Sequence, residues 1–422
     1  MNVLQKALEK ATAKLPALFL QNLISKKLRE QGVRPPKGLS EKIAEHFLAG
    51  NRESFRYNGR NLPKDIRLTF TESDADELTR AIDRFAETQF SAVILDVARR
   101  TAKSVLKDLR CRWPSENTLQ EADLSGFRER LEERWGKPIG QLRMLLTMSR
   151  EWCRGAHERE SAGKSNKSAD VRGLLIRLLV RACQVTDEIV CLLENGFADG
   201  AMARWRTLHE IAVVAAVISE HGGSMAERYL AHQAVESKRA MDKYLACYKQ
   251  LGYKPLSARA QRKVLTNYNE AVAQYGNSFK SDYGWAASHL KKERPTFADL
   301  ESAAGRAEMR AHYQMGNDNV HAGVKSMFVR LGLLLEDYTG LLSGRSNAGL
   351  TEPGQNTAHT LARLSVLVCM SEPNFDDLVV GQMMLTLRDE IPRSFHEAEK
   401  RLRRDDKESR LTLDGDALQR AE

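Results

Sequence analysis

Two long apolar segments separated by Asn195-Gly196 place the strongest constraint on how this chain can fold. Before this pair, apolar residues fall on nearly every face of a helix, and after it the pattern resumes at Phe197. An asparagine or glycine can adopt the left-handed conformation that ends a helix. A helix that is apolar on almost all sides is buried on several sides. The segment 168–220 is therefore predicted to be a buried helical hairpin at the centre of a bundle.

The most apolar part of the second helix is the run Ile211–Ile218, which contains eight unbroken apolar residues. This run is far shorter than the roughly 20 residues that a helix needs to cross a bilayer. We expect a core helix and no membrane span. Six cysteines are scattered without a CxxC motif or a paired framework, and the first residues lack the apolar core of a secretory signal. This usage is typical of a reduced, cytoplasmic protein.

The chain as a whole predicts an all-α fold, because about ten segments carry apolar residues at helical spacing. The candidate strand is Asp65–Thr71, which alternates in the period of a strand. Gly136-Lys137-Pro138 is predicted to break a helix, since proline lacks the backbone N–H that a helix interior uses.

Changes in composition predict four regions. Residues 1–160 form a basic, mainly helical N-terminal domain, and the polar residues 161–170 form a linker. Residues 171–345 form the helical bundle, and residues 346–422 form a C-terminal helical extension with a charged tail.

The formal net charge of +9 is concentrated near the N-terminus. Residues 1–62 hold twelve Lys/Arg and five Asp/Glu, a balance of +7, and Arg99–Arg112 holds six positive residues and one negative. Such patches suit nucleic acid or another anionic surface. Basic helix faces are also commonly just solvated, so both interpretations stay open.

A band of polar residues, Arg204, Arg206, His209 and Glu210, lies directly before the apolar run of the second hairpin helix. Arg206 and Glu210 are four residues apart and share one helix face. Charged groups beside an apolar run are costly unless they are paired. The band is therefore either an internal ion pair that orders the packing, or a pocket in which Arg206 meets an anion.

Five later residues are candidates for ligand binding: Tyr229, His232, Tyr283, Trp285 and Asn317. The aromatic ones are either core residues with a satisfied polar tip or platforms on which a base stacks. A bundle metal site would need repeated Glu-x-x-His pairs from facing helices, and the sequence lacks them. We expect no metal and no other cofactor.

Four segments of the chain resemble the bacterial DUF5677 family, which is helical and of uncharacterised function. They are NGFADGAMARWRTLHE from Asn195, AERY from Ala226, YGWA from Tyr283 and VHA from Val320. The resemblance covers roughly Ser168–Leu342. More distantly, the hairpin is similar to HEPN domains, many of which are ribonucleases of bacterial defence systems.

The HEPN resemblance implies an arginine followed, after four to six residues, by a histidine. The arginine would stabilise developing phosphate charge and the histidine would move a proton during attack by a ribose 2′-hydroxyl, without a metal. Arg204–His209 and Arg306–His312 fit this spacing. His321 is placed more like the family histidine, but Asn317 stands where an arginine is required.

Three functional hypotheses follow. The first is an interaction or sensor module for a nucleic acid, a nucleotide or a protein, associated with defence. The second is a metal-independent ribonuclease that uses Arg204, Arg206, His209, Glu210 and His321. The third is a structural all-α protein without a site. Since HEPN-like bundles commonly pair, we also expect a homodimer.

Overall fold

The computed structural model describes residues 5–6, 9–10, 12–50, 54–57, 65–162, 171–321, 323–334, 342–371 and 373–419. These residues form helices joined by turns, and no β-strand occurs among them. The predicted all-α class is confirmed. The chain divides into two compact units, Met1–Asp123 and Leu124–Glu422.

The first unit contains α1 (Leu15–Glu30), α2 (Leu39–Leu48), α3 (Glu72–Thr88) and the beginning of α4 (Phe90–Ala162). Its small core is built from α1, α2 and their connection: Leu20, Ile24, Leu28, Val33, Leu39 and Ala44.

The candidate strand Asp65–Thr71 is extended but is not paired as a strand. The alternation of apolar and polar residues in this segment has another cause. Ile66 and Leu68 pack against the α1–α2 core while their neighbours are exposed, and Gln31 donates a side-chain hydrogen bond to the carbonyl of Arg67 at 2.9 Å. An extended segment that packs on helices shows the same period of two as a strand in a sheet. The strand prediction is corrected to an extended segment.

The second unit contains the remainder of α4 and ten further α-helices among the described residues. They are α5 (Val171–Glu194), α6 (Ala198–His221), α7 (Gly223–Ala231), α8 (Gln233–Cys247), α9 (Ala258–Tyr275), α10 (Phe297–Ala303), α11 (Arg310–Val320), α12 (Val324–Phe328), α13 (Thr351–Cys369) and α14 (Phe375–Gln419).

Helices α5 and α6 form the predicted hairpin, and Gly196 makes the turn possible. Its φ of +72° lies in the left-handed region, and the N–H of Phe197 donates to the carbonyl of Leu192 at 2.9 Å. This bond closes the end of α5. A Cβ on Gly196 would lie 2.6 Å from both the Phe127 ring and the Ser346 carbonyl oxygen. Glycine is therefore required by backbone conformation and by space.

The hairpin is enclosed by helices from both flanking regions. Leu131, Trp135 and Ile139 of α4 are buried in the same core as α5 and α6, and α13 and α14 add further buried residues. Helix α4 passes through Gly136-Lys137-Pro138 without a break. Burial of side chains on either side of this proline offsets the hydrogen bond that it cannot donate.

The core of this unit includes residues from three of the predicted regions. Part of residues 1–160 contributes to the core of the second unit, and so does α13 from the region 346–422. Composition does not reveal these contacts, because an amphipathic helix has the same pattern whichever neighbour it packs against. Among the described helices, none combines the length and the apolar character that crossing a bilayer requires.

Candidate functional site

Helices α5, α6 and α11 surround a cleft of about 350 Å³. We call it the α6 cleft and define it by its lining residues: Leu192, Gly200, Ala203, Arg204, Arg206, Thr207, Glu210 and Val320. The sequence predicted three of these as site residues, namely Arg204, Arg206 and Glu210. Helical spacing brings Arg206 and Glu210 to one face of α6. Arg204, two residues before Arg206, lies on the side of α6 that faces Glu188 of α5.

Arg206 is held by one contact within α6 and one contact with α11. Its Nη2 lies 3.0 Å from Oε1 of Glu210, and its guanidinium lies over the Tyr313 ring, 5.0 Å from the centroid. The Tyr313 hydroxyl donates to the same Glu210 oxygen at 2.7 Å. Burial and this hydrogen bond raise the pKa of Tyr313, so the phenol is a neutral donor. The Nε atom of Arg206 is buried without a hydrogen-bond partner in the described part of the chain.

Arg204 is held against the other hairpin helix. Its Nε donates to a carboxylate oxygen of Glu188 on α5, and its Nη1 donates to Oγ1 of Thr207 at 3.3 Å. The side chains of Arg204 and Arg206 are each 27% exposed. Both guanidinium groups are therefore fixed in position while part of each faces solvent.

Gly316 allows α11 to approach α6 closely. A Cβ at this position would lie 3.3 Å from both Cβ of Arg206 and the carbonyl oxygen of Met202. This close approach brings Tyr313, one turn earlier, over the Arg206 guanidinium. The cleft therefore depends on a glycine that lies about 110 residues after Arg206 in the sequence.

His209 lies in the core and does not line the α6 cleft. Its Nε2 is 2.9 Å from Oε1 of Glu301 on α10, and its ring stacks on Trp205 with centroids 5.2 Å apart. Arg310 donates to the other oxygen of Glu301 at 2.7 Å. The side chains of His209 and Glu301 are each 1% exposed. Burial lowers the pKa of His209, which favours the neutral ring.

His321 lies directly after Val320, which lines the cleft at the end of α11. His321 is exposed, and its backbone N–H donates to the carbonyl of Asn317 at 3.0 Å. No hydrogen bond joins the His321 ring to a described residue of the cleft. Asn317 is partly buried, and its Oδ1 has no hydrogen-bond partner within the described ranges.

Three of the predicted binding residues are packed around the turns near residues 277–286. The Tyr229 ring meets Trp285 edge-on at 5.1 Å, and Trp285 is 3% exposed. The Nε2 of His232 lies 3.1 Å and 3.0 Å from the carbonyl oxygens of Phe279 and Ser281, so this nitrogen carries the proton. These contacts give Tyr229, His232 and Trp285 core positions away from the lining of the cleft.

Tyr283 occupies an intermediate position. Its ring lies 6.1 Å from that of Phe297, which packs at 4.7 Å against Tyr313. Burial raises the pKa of Tyr283, and the negative charge of Glu210 raises it further. Tyr283 therefore lies near the acidic side of the cleft without lining it. Within the described ranges, no group of three or more His, Cys, Asp or Glu side chains is arranged to hold a metal ion.

Sequence reasoning missed Glu188, Thr207, Glu301, Arg310 and Tyr313. Thr207 could have been found, since it is three residues after Arg204 on the same helix. The others lie on different helices, and their ordinary residue types and spacing carry no local signal. A glycine inside a helical pattern, such as Gly316, does indicate a close approach.

Residues 172–338 match the model of a family of unknown function, DUF5677. The predicted resemblance to DUF5677 is confirmed over these residues, and we call the matched residues 172–338 the DUF5677 region. The matched residues include the hairpin, α10, α11 and every residue that lines the α6 cleft. No curated protein and no solved structure matches the chain.

Proposed function

We propose that the DUF5677 region is a binding module whose α6 cleft accepts a nucleotide or a single nucleotide unit of a nucleic acid. The observation that carries this proposal is the pair Arg204 and Arg206, fixed by ion pairs yet partly exposed in one cleft. A volume of about 350 Å³ lies at the lower end of the range for small-molecule pockets, roughly 300–1,000 Å³.

The charge balance of the cleft favours a nucleotide over a bare anion. Glu188 and Glu210 offset the charges of Arg204 and Arg206, so the site has both donors and acceptors. Guanidinium groups donate to phosphate oxygens, with five N–H donors each. A carboxylate such as Glu210 accepts from a ribose hydroxyl or a base amino group. A nucleotide carries both kinds of partner in one molecule.

Calorimetric titration with a panel of ribonucleotides tests this proposal. We expect one of them to bind wild type, and Arg204→Gln or Arg206→Gln to weaken that binding at least tenfold, since each removes a charged donor. Arg239→Gln is the matched control, because Arg239 pairs with Asp282 and does not line the cleft. Absence of binding to wild type, or equal binding by all four proteins, contradicts the proposal.

The second candidate function is a metal-independent ribonuclease. It is supported by the exposed His321, which follows the cleft residue Val320. Wild type, Arg206→Ala and His321→Ala would be incubated with total RNA and EDTA after circular dichroism has shown that each is folded. Cleavage that is lost in both variants supports a ribonuclease. RNA that stays intact with wild type excludes it and leaves the binding module.

We further propose that the first unit contacts nucleic acid through α4. All six basic residues of Arg99–Arg112 are exposed there. Retention of RNA on a low-salt gel should decrease in Lys103→Glu/Lys107→Glu and should fall steeply as salt is raised. Unchanged retention would contradict this contact.

The expected homodimer is tested separately by measuring the mass in solution across a range of concentrations.

A further inference from the structure

Arg306, in the turn between α10 and α11, is a buried cation that forms no ion pair with any described residue. The residue is 8% exposed, and its Nε atom is fully enclosed. Among the described residues, its guanidinium makes neither a hydrogen bond nor an ion pair. Buried charges in proteins are almost always paired or hydrogen-bonded. Arg306 departs from that rule.

Arg306 nevertheless keeps its charge at neutral pH. Burial lowers its pKa to about 10, and the nearby positive charge of Arg363 contributes to the decrease. A guanidinium with this pKa is still protonated in the physiological range. The protein therefore carries a buried positive charge at this position that is compensated only in part.

The nearest acidic group is already engaged. Nη1 of Arg363 on α13 donates to Oε1 of Glu308 at 3.1 Å. Glu308 lies two residues after Arg306 and offsets its charge only in part, because two guanidinium groups share one carboxylate. The side chains of Arg363 and Glu308 are 44% and 54% exposed. The group formed by Arg306, Glu308 and Arg363 is thus buried at Arg306 and open to solvent at Arg363.

A second unpartnered nitrogen lies on the same stretch of chain. Nδ1 of His312 is buried without a hydrogen-bond partner in the described ranges. The His312 ring meets Trp205 edge-on at 6.4 Å, and Trp205 donates to Thr360, three residues before Arg363 on α13. This chain of contacts connects His312 to the face of α13 that carries Arg363.

We propose that Arg306 and Arg363 form a binding site for a tetrahedral oxyanion of the phosphate class. One such anion would accept from both guanidinium groups and supply the negative charge that Arg306 lacks. None of these residues lines the α6 cleft, so the site is separate from the one proposed above. The anion could be free phosphate or the phosphate group of a nucleotide.

Thermal unfolding in low-millimolar sodium phosphate, against sodium chloride of equal ionic strength, tests the site. An anion that binds the folded state raises Tm by mass action. We expect wild type and Arg204→Gln to be stabilised by phosphate, and Arg306→Met not to respond. In chloride, Arg306→Met should unfold at the same temperature as wild type or a higher one, since it removes an unpaired buried charge. Arg239→Met, an exposed arginine, controls for the loss of one positive charge.

Arg363→Met keeps the test decisive if Arg306→Met does not fold. It removes the partner of Glu308 and leaves that carboxylate free to pair with Arg306, so the phosphate response should be lost although Arg306 remains. Equal responses of wild type and Arg363→Met, or no response of wild type beyond that in chloride, overturn the proposal.

A further titration distinguishes the two sources of the anion. Adenosine monophosphate added to Arg204→Gln, whose cleft is impaired, should reproduce the phosphate effect if the site accepts a phosphate group on a larger molecule. A response to free phosphate alone assigns the site to the inorganic ion. No response to either overturns the proposal and leaves the nucleotide proposal for the α6 cleft unaffected.

Discussion

The two sides of α6 carry acid–base pairs of similar composition in very different surroundings. On the core side, the side chains of His209 and Glu301 are each 1% exposed, and Arg310 forms an ion pair with the same Glu301 carboxylate. On the cleft side, the side chains of Arg206 and Glu210 are 27% and 33% exposed. Both pairs have short contacts, so distance alone does not separate a structural pair from one that is available to a ligand.

The two pairs differ in how much stability the protein loses when the pair is broken. Breaking a buried pair leaves an uncompensated polar group in a dry interior. When an exposed pair is broken, water hydrates both groups and the cost in stability is small. The core pair is therefore tied to the fold. The cleft pair can exchange partners with a ligand without endangering stability.

Glu301→Ala should have the largest effect on stability. It removes both the acceptor of His209 and the partner of Arg310, and breaking a buried pair costs about 3–5 kcal/mol. Urea unfolding followed by circular dichroism measures the change. Glu293→Ala is the control, because Glu293 is exposed. A loss below about 1 kcal/mol for Glu301→Ala would show that the core side tolerates disturbance as readily as the cleft side.

The pH dependence of stability should reveal the buried His209. Burial lowers its pKa below the ordinary value of 6.5, while the charge of Glu301 opposes the shift and that of Arg306 adds to it. The unfolded chain therefore takes up a proton at a higher pH than the folded one. Stability due to neutral His209 is present above pH 6.5 and is lost as the pH falls toward the folded pKa, by up to about 1.4 kcal/mol per pH unit.

The measurement is the difference in unfolding free energy between pH 7.5 and pH 5.5, for wild type and for His209→Gln. Burial also lowers the pKa of His232 and of His359, but both are present in each protein and cancel in the comparison. Wild type should lose more stability than the variant. Equal losses would mean that the core side contains no histidine that resists protonation.

The sequence was sufficient where the signal is local. Asn195-Gly196 predicted the turn because a left-handed residue is a property of a few neighbouring residues, and Gly196 does adopt a positive φ. The grouping of Arg206 with Glu210, and of Trp205 with His209, likewise follows from helical spacing. These predictions needed no knowledge of any other helix.

The partners of those residues could not be predicted, because they come from distant parts of the chain. Glu301 lies 92 residues after His209, and Tyr313 lies 103 residues after Glu210. Only the packing of α10 and α11 brings these pairs together. Asp65–Thr71 failed as a strand for a related reason. The period of two in this segment indicates that one of its sides is buried. It does not reveal whether a sheet or a pair of helices covers that side.

Glu210→Gln should have the smallest effect on stability and separates binding from structure. Glutamine keeps an oxygen that can accept from Tyr313 and removes the charge that faces Arg206. For an i,i+4 pair this exposed, the loss is about 0.5 kcal/mol or less. If the cleft binds a nucleotide, its affinity should change several-fold in calorimetric titration while urea unfolding stays almost unchanged. A clear loss of stability with unaltered affinity would instead make Arg206–Glu210 a second structural pair, and both sides of α6 would then serve the fold alone.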